Sequence, residues 1–517
     1  MQTVSSPRAL PAYADAPGGI PRVVRALLHL FFRRIEVTGL ENVPRDRGGV
    51  LVAWHPNGLL DPALILAECP RPVVFGARHG LLRWPLLGPL LRRLGTVPIF
   101  RPQDTDGTLD PEARRQANRE SLDRLAEAVV QGRFAALFPE GVSHDDSAPR
   151  CLRPGAARLF LRALELAGPA DPVDRPPPVL LTVGLHYDRK HLFGSSVLIE
   201  FHAPLALSEA LSGAPASGED SVEAVERITG RLAAELDQVV QATDTWDTHH
   251  LIHRLRKVVR AERARRSETS PGPSSMEERV LGFARVRQAY EVRQGTHPGE
   301  TRALRERVEE YDRDLGALGL DDHDLDGGGG AWEPLRALGL ALGAVLVYLV
   351  LPPLLVLGYA VNVPVALGLG SLARRLGGEK KDVATLKLLF GVVAFPVVWA
   401  LVALLVVWGQ LNLHDAYPEI PRAPWLAGMA TFALCSVGGW VGLAYLRVAS
   451  RLYRALRVRL TKARRRRAVA RLLAERAALF ADAMELASGL DLPGEVAADG
   501  RVARAASTSG VERGVEV

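Results

Sequence analysis

GGVLVAWHPNGLLDPALILAEC, residues 48–69, sets an apolar run of strand length, a turn and an apolar run of helix length in immediate succession. Pro56-Asn57-Gly58 is turn chemistry, because proline fixes its own φ while asparagine and glycine tolerate positive φ. His55 and Asp61 flank a five-residue spacer within that turn. The pair reads either as a base with its orienting carboxylate or as two polar residues of a turn, and the surrounding chain has to decide.

The strand–turn–helix pattern repeats outward from this point. RPVVFGA, GTVPIF, FAALFP, PPVLLTVGL and SSVLIEFHAPL have strand length with Gly or Pro nearby. LLRWPLLGPLLRRL, DPEARRQANRESLDRLAEAVVQG and RPGAARLFLRALELAG have helical length and spacing. Alternating strands and helices predict an α/β domain with a mixed sheet flanked by helices over residues 20–206. Its first segment, IPRVVRALLHLFFRRI, mixes an apolar face with arginines and reads as an interfacial or a packing helix.

Composition changes after residue 206. Residues 207–333 read as charged helices, 219–265 and 276–316, followed by a Gly-rich linker. Charge then disappears: Ala337–Ala373, Leu388–His414 and Ala423–Leu446 hold 37, 27 and 24 residues without Asp, Glu, Lys or Arg. A bilayer-crossing helix needs roughly 20 apolar residues, so 334–446 is expected to be a transmembrane region of three to four helical segments. Pro352-Pro353 and Pro364 lie in the first stretch, which predicts a hairpin or re-entrant pair. A single tilted crossing is the alternative, and would put the domain ahead of it on the other side.

The net charge of +6 comes largely from the end of the chain, where ten basic and no acidic residues lie between Arg447 and Arg467. A basic run abutting a span marks the cytoplasmic side and contacts anionic lipid rather than nucleic acid. Residues 447–517 are therefore expected to be a basic cytoplasmic helix and a disordered tail. Residues 1–19 have no apolar h-region and read as a disordered leader. Cys69, Cys151 and Cys435 make neither a disulfide framework nor a metal spacing, so no metal is expected. Asp322, Asp324, Asp326, Gly327 and Glu333 match a calcium loop literally, but four successive glycines replace its ordered half, and an acidic linker is the expectation. Together these features predict an integral membrane protein with its soluble domain on the cytoplasmic face, in a bacterial inner membrane.

Within the α/β region the polar residues that look out of place sit at strand ends, where open α/β sheets form their ligand crevice. His55 and Asp61 follow GVLVAW, Arg101 follows GTVPIF, and Glu140-Gly141 follow FAALFP. HPNGLLDP, GTVPIFR, LFPEGVSHDD and VLLTVGLHY, in this order, resemble the four motifs of the glycerolipid acyltransferases. That family includes the 1-acylglycerol-3-phosphate and the glycerol-3-phosphate acyltransferases. The resemblance covers roughly residues 25–205. Trp54 stands where the family usually has Asn, and the spacer is one residue longer than usual. With the FPEGVSHD form of the third block, this resembles the fungal-type glycerol-3-phosphate/dihydroxyacetone-phosphate branch.

The resemblance implies a membrane-bound O-acyltransferase in phospholipid synthesis, with His55 as general base and Asp61 orienting it. It implies that Arg101 contacts phosphate, that Pro139, Glu140, Gly141 and Ser143 position the acceptor, and that Arg153 makes a second phosphate contact. It implies no cofactor; acyl-CoA or acyl-carrier-protein would be the donor substrate. The acceptor expected is glycerol-3-phosphate or dihydroxyacetone phosphate, with 1-acylglycerol-3-phosphate (lysophosphatidic acid) as the alternative. Two non-enzymatic readings compete. A transporter would need charged residues in its spans, and these hold none. An inactive scaffold would be expected to lose His55, Asp61 or Glu140, and all three are present.

Overall fold

The computed structural model describes residues 19–84, 87–101, 110–144, 146–168, 176–190, 192–207, 222–267, 274–326, 334–376, 380–419, 421–497 and 500–504. The expected leader thus lies outside the described residues, as do the Gly-rich linker, the last 13 residues and most of the polar link after residue 206. The chain divides into two units, 1–249 with 275–280, and 250–274 with 281–517.

The first unit is built on a seven-stranded sheet: β1 (Arg34–Thr38), β2 (Gly49–Ala53), β3 (Val73–Arg78), β4 (Val97–Ile99), β5 (Phe134–Leu137), β6 (Val179–Tyr187) and β7 (Ser196–Phe201). Their order is β1-β7-β6-β2-β5-β3-β4. Every pairing is parallel except β6 with β7. The mixed α/β sheet expected from the sequence is therefore the fold. Strand β2 is buried at all five positions, as a strand covered on both faces must be.

Val50 and Val52 join the core formed with α4 (Pro111–Val130) and α5 (Gly155–Ala167). On the other side lie α1 (Gly19–Phe31) and α2 (Leu60–Glu68), which pack on each other; α3 (Leu87–Arg93) leads toward β4. The unit runs past the expected boundary at residue 206. Helix α6 (Val222–Val240) turns Val225, Ile228, Leu232 and Leu236 into the same core, and side chains of that size each contribute about 1.5–3 kcal/mol when fully buried. In the α1 segment Leu28 and Phe31 are buried while Val23 stays exposed.

The charged region is helical, as the composition predicts, but each expected helix is divided. It forms α7 (Trp246–Arg266), α8 (Met276–Thr296) and α9 (Pro298–Leu318), with Pro298 opening α9 at its first turn, where a missing N–H costs nothing. A short helix, α10 (Asp322–Asp326), follows. In the second unit, Leu251, Leu255 and Val258 share a core with Val308, Tyr311 and Leu315 and with Leu472 and Leu479 of α15 (Arg466–Ala487). Arg476 of α15 is fully buried, with its Nε 3.2 Å from buried Glu262 and its Nη1 2.9 Å from Asp326. Asp322, the first position of the calcium-loop pattern, accepts from Arg254 Nη1 and Tyr311 OH at 2.9 Å each. These aspartates face cations and a phenol, and Glu333 lies outside the described residues.

The apolar part of the second unit comprises α11 (Pro334–Val345), a π-helical turn (Leu346–Val350), α12 (Leu351–Leu376), α13 (Lys380–Ala416) and α14 (Pro424–Arg464). Among the described residues, Leu386–Ala416 and Pro424–Arg464 are long and apolar enough to cross a bilayer. The basic run after the last apolar segment begins inside α14 rather than in a separate helix.

Side-chain contacts place the first apolar stretch against the later helices. Tyr348 OH donates to Ala449 O at 2.6 Å and Asn362 Nδ2 donates to Cys435 O at 3.0 Å, so this leg runs antiparallel to α14. Trp399 Nε1 donates to Asn362 Oδ1 at 2.9 Å, and a Cβ on Gly391 would lie 3.9 Å from Leu369. Moving forward from 362 to 369 therefore means moving backward from 399 to 391. Only three residues separate Leu376 from Lys380, which demands the same reversal. Leu351–Leu376 is a single helix with Pro364 inside it.

Candidate active site

Four parallel strands end on one edge of the sheet, and each delivers part of one cluster. His55 stands two residues beyond β2, with its imidazole partly open at 20% exposure. Its Nδ1 lies 2.8 Å from Asp61 Oδ2, and Asp61 is fully buried in the first turn of α2. The turn does what its residues predict: Gly58 adopts φ 51°, and Asn57 N–H donates to Asp61 Oδ2 at 2.7 Å. From the end of β6, Tyr187 OH donates to Asp61 Oδ1 at 2.5 Å. Burial, and then the Asp61 carboxylate, push the Tyr187 phenol well above its usual value, so it remains a neutral donor. Asp61 thus accepts from three donors and orients His55 through Nδ1, leaving Nε2 as the nitrogen that can take a proton.

The loop after β5 closes on His55 from the other side. Phe138 stacks on the imidazole with ring centroids 4.2 Å apart and planes 18° from parallel. Glu140 is buried, and its Oε2 accepts the His55 N–H at 3.0 Å. Gly141 takes φ 73°, and a Cβ there would meet Arg153 Nε at 2.9 Å, so the exposed Arg153 side chain lies directly over a glycine that has to be one. Arg153 N–H donates to Pro139 O at 2.8 Å, and Ser143 sits half-buried in the same loop.

Arg101, two residues past β4, donates from Nη1 to the Gly141 carbonyl. Asn118 of α4 holds that strand end, exchanging two 2.9 Å hydrogen bonds with the Phe100 backbone. All eight residues expected at the site are therefore gathered at the carboxyl ends of β2, β4 and β5. Tyr187, Phe138, His144 and Asn118 also belong to it and were not singled out from sequence, and Asn57 was read only as a turn residue. Asn57, Phe138, His144 and Tyr187 sit in the quoted blocks, whereas Asn118 lies outside them.

An imidazole oriented by a buried carboxylate, next to two arginines and a glycine turn, can deprotonate a hydroxyl beside an anionic group. The family profiles agree with that class of chemistry: one described as Acyltransferase matches residues 34–180. A second, described as Glycerol-3-phosphate acyltransferase 2 C-terminal domain, matches residues 285–491. The chain thus joins an acyltransferase domain to a C-terminal domain of the glycerol-3-phosphate acyltransferase 2 type, and it is a distant relative of the yeast glycerol-3-phosphate O-acyltransferases.

Glycerol-3-phosphate O-acyltransferase 2 of Saccharomyces cerevisiae is 24% identical over 228 residues, 43% of this chain and 27% of that protein. The 1-acyl-sn-glycerol-3-phosphate acyltransferase of Borreliella burgdorferi is 26% identical over 136 residues, 25% of this chain and 47% of that protein. The chain spans less than half the length of each of these curated relatives. The crystal structure of the 1-acyl-sn-glycerophosphate acyltransferase PlsC from Thermotoga maritima aligns over 42% of this chain and 80% of that one. Its TM-score is 0.29 and its identity 21%. Curated fungal relatives lend no support to the bacterial membrane expected from the sequence.

Proposed function

We propose that the protein transfers a fatty acyl group from an acyl thioester to a hydroxyl of glycerol-3-phosphate or dihydroxyacetone phosphate. The observation that carries this is the buried Asp61 holding His55 Nδ1 at 2.8 Å, in a chain whose C-terminal domain is of the glycerol-3-phosphate acyltransferase 2 type. His55 Nε2 takes the proton as the hydroxyl oxygen attacks the thioester carbonyl. The C–S bond then breaks, and the thiol leaves with the proton returned from His55. Arg101 and Arg153 supply cationic forks for the acceptor phosphate. Acyl-CoA or acyl-carrier-protein serves as donor, and the chemistry asks for no cofactor.

A second acceptor, 1-acylglycerol-3-phosphate, is favoured by the match to the Borreliella protein within the acyltransferase domain. Helices α13 and α14 cross a bilayer in this reading, with the basic end of α14 against anionic headgroups and the acyltransferase unit facing the cytoplasm. Purified protein given a labelled acyl-CoA and a panel of the three acceptors should acylate glycerol-3-phosphate or dihydroxyacetone phosphate best. His55→Ala should lower turnover by about 10²–10⁴-fold or more with its thermal unfolding unchanged. Substantial activity in that variant would sink the mechanism, and preference for the lysolipid would move the acceptor to the second reading.

A further inference from the structure

Glu140 is the residue of the site whose geometry departs most from an acceptor ligand. It is 3% exposed, and each of its oxygens is already engaged by protein. Oε2 accepts the His55 N–H at 3.0 Å. Oε1 lies 2.6 Å from His144 Nε2 and accepts the Arg150 N–H at 3.0 Å. Three donors on one buried carboxylate satisfy it without substrate.

His144 is the side-chain member of that set. It is 1% exposed, and its ring meets Trp54 edge-on at 6.2 Å, one residue before His55. Its Nδ1 lies 3.3 Å from both the Asp146 N–H and Asp146 Oδ2. Whichever of these Nδ1 serves, Nε2 carries the hydrogen that points at Glu140. The His144 N–H also donates to the His55 carbonyl at 3.1 Å. The peptide groups on both sides of the His55 Cα are thus held by the 140–144 loop, its N–H by Glu140 and its carbonyl by His144.

We propose that His144 is a positioning residue for the acyltransfer: it fixes the Glu140 carboxylate on the His55 amide and so sets where the His55 imidazole stands. Glu140 is a strut between two loops and does not touch the acceptor. The inference rests on the proposed role of His55. It predicts a particular kinetic signature, because a strut governs turnover while an acceptor ligand governs affinity.

The test compares His144→Ala, His144→Gln and Glu140→Gln in full-length protein, on whichever acceptor the wild type uses best. Displacing a base by an ångström costs on the order of 10²-fold. His144→Ala should lose about that much kcat with the acceptor KM within about twofold of wild type. His144→Gln, whose amide N–H can donate to Glu140, should recover at least about tenfold of the loss at an equal unfolding temperature. Glu140→Gln, which sets an amide against donors, should also lose kcat rather than affinity. A raised acceptor KM with kcat kept in Glu140→Gln, or folded His144→Gln no better than His144→Ala, would overturn the proposal.

A second arm needs no turnover. Carbethoxylation of the His55 imidazole, followed by mass spectrometry, should speed up severalfold in His144→Ala and return toward wild type in His144→Gln. Equal rates in all three would overturn the clamp. A wild type inactive on every acceptor would instead remove the proposed function and leave this arm to judge the clamp alone.

Discussion

At the scale of single residues, the site turns on how many donors Asp61 satisfies. A buried carboxylate with three hydrogen bonds is held in one place, which orients the imidazole bound to it. Asp61→Asn keeps the shape but presents an amide to His55 Nδ1 and allows the wrong tautomer, so kcat should fall about 10²–10⁴-fold. Tyr187→Phe removes one donor and leaves the pair in contact, so the expected loss is only about tenfold. Steady-state rates of both variants check the order. A Tyr187→Phe defect as deep as that of Asp61→Asn would mean the phenol acts on substrate rather than on the carboxylate. Because Tyr187 is held neutral well above the usual tyrosine range, its titration should leave no alkaline limb near pH 10 in the wild-type rate. The motif residues were legible because chemistry-bearing side chains at strand ends are conspicuous against apolar runs. Tyr187 was not, because its meaning depends on β6 lying beside β2, a pairing 130 residues long-range that no local pattern encodes.

Elements were legible to the degree that one force dominated them. Strands β2 to β7 are apolar runs and could be read directly. β1, RIEVT, carries Arg34 and Glu36 and was missed, yet the charge has a purpose. Glu36 accepts the Met276 N–H at 2.8 Å and the Glu277 N–H at 3.3 Å, capping α8 from far away in sequence. The back of β6 has a comparable hidden cost. His186 lies 3.7 Å from Glu200, but burial outweighs that carboxylate and pushes the imidazole down to about 4. The folded unit therefore holds His186 neutral where the unfolded chain, titrating near 6.5, takes up a proton. Stability is fully present above that value and falls as pH drops toward 4. Between pH 7 and pH 5 the contribution amounts to about 2 kcal/mol. In His186→Gln the loss of stability over that interval should be smaller by this amount, measured by denaturant unfolding at both pH values. Equal acid slopes in variant and wild type would refute it.

For the whole molecule, the second unit contains its own argument about sidedness. Helix α9 precedes the apolar helices and α15 follows them, yet Arg307 of α9 pairs with Asp482 of α15, and Val308 and Leu472 share one core. The chain therefore enters and leaves the apolar helices at the same end, and in the proposed bilayer-crossing reading that requires an even number of crossings. Helices α13 and α14 supply two in that reading. The close approach of Gly358 to Gly438, where a Cβ on either would stand 3.0 Å or less from the other's backbone, lets α12 lie against α14. In that reading the loop joining α13 to α14, with Arg422 as its one basic residue, lies on the far side, as its scarcity of Lys and Arg predicts. In vesicles of one orientation, carrying single cysteines in a background without the exposed Cys151, Thr296→Cys and Ser488→Cys should react with an impermeant maleimide from one face. Glu419→Cys should react only from the other. Labelling of all three from one face would mean that α13 and α14 do not cross, and labelling of Thr296→Cys and Ser488→Cys from opposite faces would mean an odd number of crossings, which the shared core of α9 and α15 forbids.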